Sequence, residues 1–270
     1  MVRLNWLFLL GLLAGCGGDP ASTNHTMPPP EPTSDLTFVE PTPVVGGVQL
    51  RLKPAADASV SSTLIGNIDV WQVEGKNSIP PEAVGKSTMS MDYTVTVSSV
   101  EAGKVLLAFD SSPLKLTGKA QGEWQQLGGQ KGEVRFDDRG ALLEDPSSLF
   151  EGLFGAGMVM YPESPIGPGS TWSSSNTRDM PPFGPVKVDE KFVYRGKEDV
   201  NGVSVHRIDS TATGSLEGMT MTATYYVRDD GLPFAATIKT KASAPIAVQD
   251  DGTQVWAGFT VDVEIKPKKG

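Results

Sequence analysis

Cysteine and histidine are almost missing from this chain. Cys16 is its one cysteine, and His25 and His206 are its two histidines. A disulfide framework and a His/Cys metal cluster therefore lack raw material, and a Ser-His-Asp triad in the body of the chain has only His206 to build on. Basic residues are also in deficit: 23 Lys+Arg against 32 Asp+Glu give a net charge of −9 and a pI near 4.8. That is the reverse of a nucleic-acid-binding footprint. No apolar run reaches the ~20 residues of a membrane-spanning helix. Gly128-Gly129 and Gly167-Pro168-Gly169 lack a following Gly-Lys-Ser/Thr, which excludes a phosphate loop, and no Gly-x-Ser-x-Gly elbow is present. What remains is 270 residues with 39% hydrophobic content, too apolar for a disordered polymer and enough for one or two globular units.

The N-terminus carries the most specific signal. Arg3 precedes an apolar run from Leu4 to Leu13, about half the span of a membrane helix, as in a signal peptide. The run leads into Leu13-Ala14-Gly15-Cys16, which resembles the lipobox of bacterial lipoproteins. There the thiol accepts a diacylglyceryl group and small neighbours let the signal peptidase reach the bond before the cysteine. The resemblance implies lipidation of Cys16, removal of residues 1–15 and a palmitate-type anchor. Loss of Arg3 takes the net charge to −10, and an acidic body is repelled by an anionic leaflet. The acyl chains, at about 0.8 kcal/mol per buried CH₂, are then the sole attraction to the membrane. Gly17 follows Cys16 in place of an inner-membrane retention Asp, which favours the outer membrane, facing the periplasm or the cell surface. Residues 16–43, with Pro28-Pro29-Pro30 and Pro41-Thr42-Pro43, are expected to form a disordered tether.

From residue 44 to 270 the pattern has period two, as expected of a β-rich globular domain. Met91, Tyr93, Val95 and Val97 alternate with Ser90, Asp92, Thr94 and Thr96, and the same holds for Met219 to Val227 and Phe259 to Ile265. Val48, Leu50 and Leu52 predict a further strand. Ala102-Gly103, Asn201-Gly202, Asp138-Arg139-Gly140, Asp229-Asp230-Gly231 and Asp250-Asp251-Gly252 supply turn chemistry between strands, which accounts for the paired carboxylates. One segment departs from this pattern. Asp145-Pro146 starts a helix signal, and Leu149, Phe150, Leu153, Phe154 and Met158 follow at helical spacing, predicting a covering amphipathic helix over about 146–160. An offset of 99 residues sets Gly103 over Gly202, Tyr93 over Phe192, Val95 over Tyr194 and Asp110-Ser111 over Asp209-Ser210. This predicts two related sheet halves sharing one core. The expected fold is thus mainly β: a large antiparallel curved sheet or half-barrel with one covering helix.

Ser90-Met91-Asp92-Tyr93, Arg135-Phe136-Asp137-Asp138-Arg139-Gly140 and Pro165-Ile166-Gly167-Pro168-Gly169-Ser170-Thr171-Trp172 resemble motifs of a family of bacterial envelope lipoproteins of unassigned function. The resemblance spans about Leu50 to the C-terminus and implies no catalytic residues. A long antiparallel sheet with helical cover is also similar to lipoprotein-carrier half-barrels, whose curved sheets form apolar troughs for acyl chains. This chain departs from the soluble shuttle of that group by having its own lipobox.

Alternation places His206 on the face opposite Val203 and Val205, where a solvated sheet histidine is expected, and Trp124 and Trp172 are expected at an edge or rim. The better functional candidates are apolar. Phe150, Phe154, Met158, Met219 and Met221, with Met89, Met91 and Met160 near them, place flexible side chains on the predicted sheet faces and helix. The expectation is a non-catalytic, lipid-anchored binding module for a lipid or other hydrophobic ligand, without cofactor or metal and without nucleic acid as partner. The alternative is a structural protein with a solid core that binds an envelope partner. Replacing Cys16→Ser is expected to move the protein from the membrane fraction to the soluble fraction on cell fractionation. Retention in the membrane would contradict the lipobox reading.

Overall fold

A computed structural model describes residues 36–74, 87–118, 129–143, 158–179, 185–216, 218–248 and 251–268. They contain β1 (Thr37–Val39), β2 (Ser59–Glu74), β3 (Ser87–Glu101), β4 (Lys104–Ser111), β5 (Lys115–Gly118), β6 (Lys131–Asp137), β7 (Thr171–Asp179), β8 (Pro185–Val200), β9 (Val203–Gly214), β10 (Thr220–Val227), β11 (Pro233–Val248) and β12 (Gln254–Pro267). These form one antiparallel sheet in the order β1-β7-β8-β9-β10-β11-β12-β2-β3-β4-β6, with β5 beside β3. The alternating runs are its strands, as expected. One main core joins Val95, Leu107 and Phe136 of β3, β4 and β6 to Trp172, Phe192, Ile208 and Tyr225 of β7 to β10. Strands so far apart in the order can share a core only if the sheet curls back on itself.

The two hairpins 99 residues apart have the same register. Tyr93 pairs with Ser111 and Val95 with Phe109, while Phe192 pairs with Ser210 and Tyr194 with Ile208. Each first strand carries a register shift before its turn, between Val97 and Ser99 in one and Tyr194 and Gly196 in the other. Each turn has two residues at positive φ, Ala102 (46°) and Gly103 (78°) or Asn201 (56°) and Gly202 (82°). Such turns match the right-handed twist of the strands they join. The later turns at Gly140 and Gly231 correspond as well. In each, the glycine N–H donates three residues back, to Asp137 O and Arg228 O, and each glycine is faced by a carbonyl, Val159 O or Arg51 O, where a Cβ would stand.

Those carbonyls belong to two extended segments that lie between the halves. Lys53 N–H donates to Asp230 O (2.8 Å), and Tyr161 N–H to Arg139 O (2.7 Å). The segment leading into each half thus binds the turn of the other half. This explains two departures from expectation. Residues 48–53 form no strand and bridge only at Val48 to Ile166, because their backbone groups are taken by the turns, although Leu50 and Leu52 are buried as the alternation implied. The covering helix has no support among the described residues: 144–157, with Phe150 and Phe154, lie outside them, and Met158 to Met160 are non-helical. Met158 and Val159 pack in the main core, and Tyr161, directly after them, is tied to the turn.

The expected tether also ends earlier than residue 43, because β1 lies within it. Thr37–Val39 pairs with Ser173 to Ser175 of β7 and forms one end of the sheet. The other end, β6, runs into Arg139, whose guanidinium reaches across to Glu40 (2.7 Å), Glu163 (2.9 Å) and the Phe38 ring (4.5 Å to its centre). Its Nε donates to Tyr161 O (2.9 Å). Trp172, expected at a rim, is buried, stacked on Phe192 at 5.4 Å and donating Nε1–H to Met160 O.

His206 lies opposite Val203 as the alternation requires, but its face is the inner one and the imidazole is 2% exposed. Nδ1 accepts from the Tyr194 hydroxyl (2.8 Å) and Nε2 meets Asp229 (2.9 Å), which also pairs with Lys197 (2.7 Å). The neutral imidazole with its proton on Nε2 satisfies both contacts. Burial and the nearby Lys197 ammonium push the His206 pKa down, and Asp229 only partly offsets them. A base with a lowered folded pKa holds fewer protons folded than unfolded, so stability is flat above about pH 6.5 and falls as the pH drops below it. Thermal unfolding from pH 8 to pH 5 is expected to show this loss in the native chain and a flatter profile in His206→Gln. The same acid slope in both would remove His206 as its source. The hairpin turn offers a second test: Ala102→Gly relieves a left-handed alanine and is expected to raise stability by about 0.5–1 kcal/mol, read as a higher Tm. A lower Tm would contradict the turn assignment.

Candidate functional site

Residues paired in register share a sheet face, so the inner face can be followed across the strands. One row runs Tyr194, Ile208, Tyr225, Ala236, Ile265, Leu64, Met91. The next runs Phe192, Ser210, Ala223, Ile238, Val263, Gly66, Met89, and the third runs Glu190, Ala212, Met221, Thr240, Val261, Ile68. Near the hairpin turns this face is filled by the main core. Farther along, a smaller cluster of Val186, Val188, Ala212, Met219 and Ala242 forms, with Met221, Leu216 and Phe259 against it.

Beyond these clusters the face stays apolar but is less covered. Leu64, Ile68, Met89, Met91 and Val261 are half-buried and join neither cluster among the described residues. Residues in mid-sheet are small: Gly66, Ala212 and Ala223. The Met89 tip lies 3.1 Å from where a Gly66 Cβ would stand, and the Met219 thioether covers Gly214 in the same way. Small residues on the sheet floor thus lie under unbranched thioethers, which give this part of the face an adaptable apolar surface.

At the β7–β9 end, in the same rows, the face turns polar. Glu190 (5% exposed) stands in register with Ser174 (8%), and Ser210 (4%) lies one row away on β9. Near the β2–β3 end, burial pushes the Tyr93 hydroxyl up to about 12, and its hydrogen bond with Ser62 opposes part of that shift. The outer face is ordinary wet sheet, where Asp209 gathers Arg195, Arg207 and Thr224. The two arginines and the threonine hold its carboxyl below the usual range against the opposing effect of burial.

Of the residues singled out from the sequence, Met219 and Met221 come together on the inner face, and Met89 and Met91 lie on the same face of the sheet. Met158 does not, because it packs in the main core. Cys16, Phe150, Phe154 and Trp124 lie outside the described residues. Leu64, Ile68 and Phe259 were readable only as alternation. The polar group was missed, although Glu190 stands in phase with Val186, Val188, Phe192 and Tyr194, where an inward carboxylate breaks an apolar series.

No protein-family model matches the chain, and no characterised protein matches it by sequence. Among solved structures, a Bacteroides fragilis protein described as exported and of YmcC-like fold aligns over 82% of this chain and 100% of its own, at 8% identity and a TM-score of 0.32. DynF, from the dynemicin biosynthesis pathway of Micromonospora chersina, aligns over 92% of both chains at 13% identity and a TM-score of 0.22.

Proposed function

We propose that this chain is a lipid-anchored protein of the bacterial envelope that holds a hydrophobic ligand on the inner face of its sheet. The lipobox-like Leu13-Ala14-Gly15-Cys16 supports the anchor and the envelope location, with the outer membrane favoured. One observation carries the binding reading: Leu64, Ile68, Met89 and Met91 face inward, yet among the described residues they are half-buried and belong to neither packed cluster. Left bare, such a face loses the burial worth about 0.8 kcal/mol per CH₂, and a flexible chain laid along it recovers that burial. Methionine suits a ligand of variable shape because its side chain is unbranched and polarisable.

The rows give the ligand a path. From Glu190 on β8 to Ile68 on β2 there are five strand spacings, about 24 Å along the sheet, room for a long acyl chain. The role is binding and carriage beside the membrane rather than bond chemistry, and the anchor keeps the holder within reach of a lipid source. To test this, residues 16–270 with Cys16→Ser, which retain every contact described above, are titrated with a fluorescent apolar dye. Leu64→Asp and Met221→Asp are each expected to weaken dye binding about tenfold or more, since each places a charge in the apolar path. Unchanged dye affinity in variants that keep the native circular dichroism would contradict the binding reading.

A further inference from the structure

An apolar turn on the surface is explained by neither the core nor the inner face, and its reading rests on the lipid anchor proposed above. Leu36, Val39, Val44, Val45 and Val48 are half of the ten large apolar side chains left exposed among the described residues. All five fall within residues 36–48, whereas an ordinary surface scatters such side chains singly. Val44 N–H donates to Pro165 O (2.9 Å), Gly47 N–H closes a turn onto Val44 O (2.9 Å), and Val48 exchanges two backbone hydrogen bonds with Ile166 (2.8 and 2.9 Å). The turn is thus clamped on both sides. Gly46 takes its third position at positive φ (73°), with nothing within 4 Å of where a Cβ would stand. Val45 takes the second position and is fully exposed. Turn chemistry favours proline there, and Asn, Asp, Ser or Gly around it. Other turns of this chain follow that rule, with Asn201-Gly202 and Asp229-Asp230-Gly231. Here a fixed turn instead offers a valine to an apolar surface outside the protein.

We infer that the Val44–Gly47 turn is where the anchored protein touches the lipid bilayer, seating Val45 at the boundary of head groups and acyl chains with Val44 and Val48 beside it. Residues 17–35 join Cys16 to this stretch, so the turn stays within at most about 70 Å of the acylated residue. Covalent linkage over such distances gives effective concentrations on the order of millimolar. A contact too weak to hold a free protein is then occupied. Charge favours the same stretch. The acidic body is repelled by an anionic leaflet, but within residues 36–48 the one charged side chain is Glu40, which pairs with Arg139 (2.7 Å). Glu163, whose N–H donates to Glu40, pairs with the same guanidinium (2.9 Å). The turn therefore meets the membrane without desolvating an unpaired charge of its own. Contact there fixes which end of the sheet faces the lipid.

Cys16 is the one cysteine, so in the acylated chain Val45→Cys supplies the single free thiol for an environment-sensitive fluorophore. The lipidated chain is reconstituted in phosphatidylcholine vesicles that carry doxyl-labelled acyl chains. It is compared with a chain labelled at Thr220→Cys, an exposed position on β10 at the end of the sheet away from the hairpin turns. Quenching at position 45 is expected to exceed that at position 220 by at least about threefold, and Val48→Asp in the Val45→Cys chain to reduce it at least about twofold. Equal quenching at the two positions, or quenching at position 45 that Val48→Asp leaves unchanged, would overturn the contact and leave the anchor standing. A chain that does not float with the vesicles and takes the label on Cys16 would overturn the anchor, and the contact with it.

Discussion

The structure depends on how an open sheet deals with its two ends. Unpaired edges expose backbone groups and invite pairing with other chains. Here β1 and β6 are brought to one seam, and Arg139 spans it. One guanidinium pairs with Glu40 beyond β1, pairs with Glu163 and lies over Phe38, while its Nε donates to Tyr161 O. Arg51 works beside it, donating to Pro162 O (2.6 Å) and Glu163 O (3.1 Å). Arginine fits this position because its planar fork of donors can serve several acceptors at once. The curl held by the seam lets strands at opposite parts of the sheet order share one core.

The crossed lead-in segments divide the molecule between two tasks. Around the turns, Leu50, Leu52, Tyr161 and Ile166 are 3% exposed or less and fill the space between the halves. Tyr161 Oη donates to Gly231 O, and the Tyr194–His206–Asp229 chain holds the second hairpin to the same turn. That end is packed and stapled by polar contacts. Toward the other end the described lead-in segments do not reach, and the inner face presents thioethers and branched side chains over glycine and alanine. One sheet thus joins a densely packed end to an apolar end that is less covered among the described residues.

Much of the sheet was legible because strand alternation and turn chemistry are local. Val95 and Val97, Tyr225 and Val227, and both two-residue turns follow from near neighbours in sequence. The repeat was legible for the same reason, since equal spacing of turn and alternation preserved the register of both hairpins. Residues 48–53 and the role of His206 were not. Which of two alternating faces is inner depends on strands far away in sequence, and the face bearing His206 also carries Ile208 and Ala212. The backbone of residues 48–53 alternates like a strand, yet its partners are turn carbonyls in both halves, which no local pattern specifies. Met219 and Met221 were readable as candidates; the Ser174–Glu190–Ser210 group was not, because β7, β8 and β9 must be placed in register before it exists.

The central claim is that the inner face near β2, β3 and β10 is completed by a ligand rather than by the chain's own packing. Native mass spectrometry of residues 16–270 with Cys16→Ser, made in a bacterial host and kept free of detergent, tests it most directly. The account predicts added mass that organic extraction removes and that identifies as an amphiphile. A single mass equal to that of the polypeptide, unchanged when lipid extract is added back, would contradict it and make the face a protein-docking surface or a filled core.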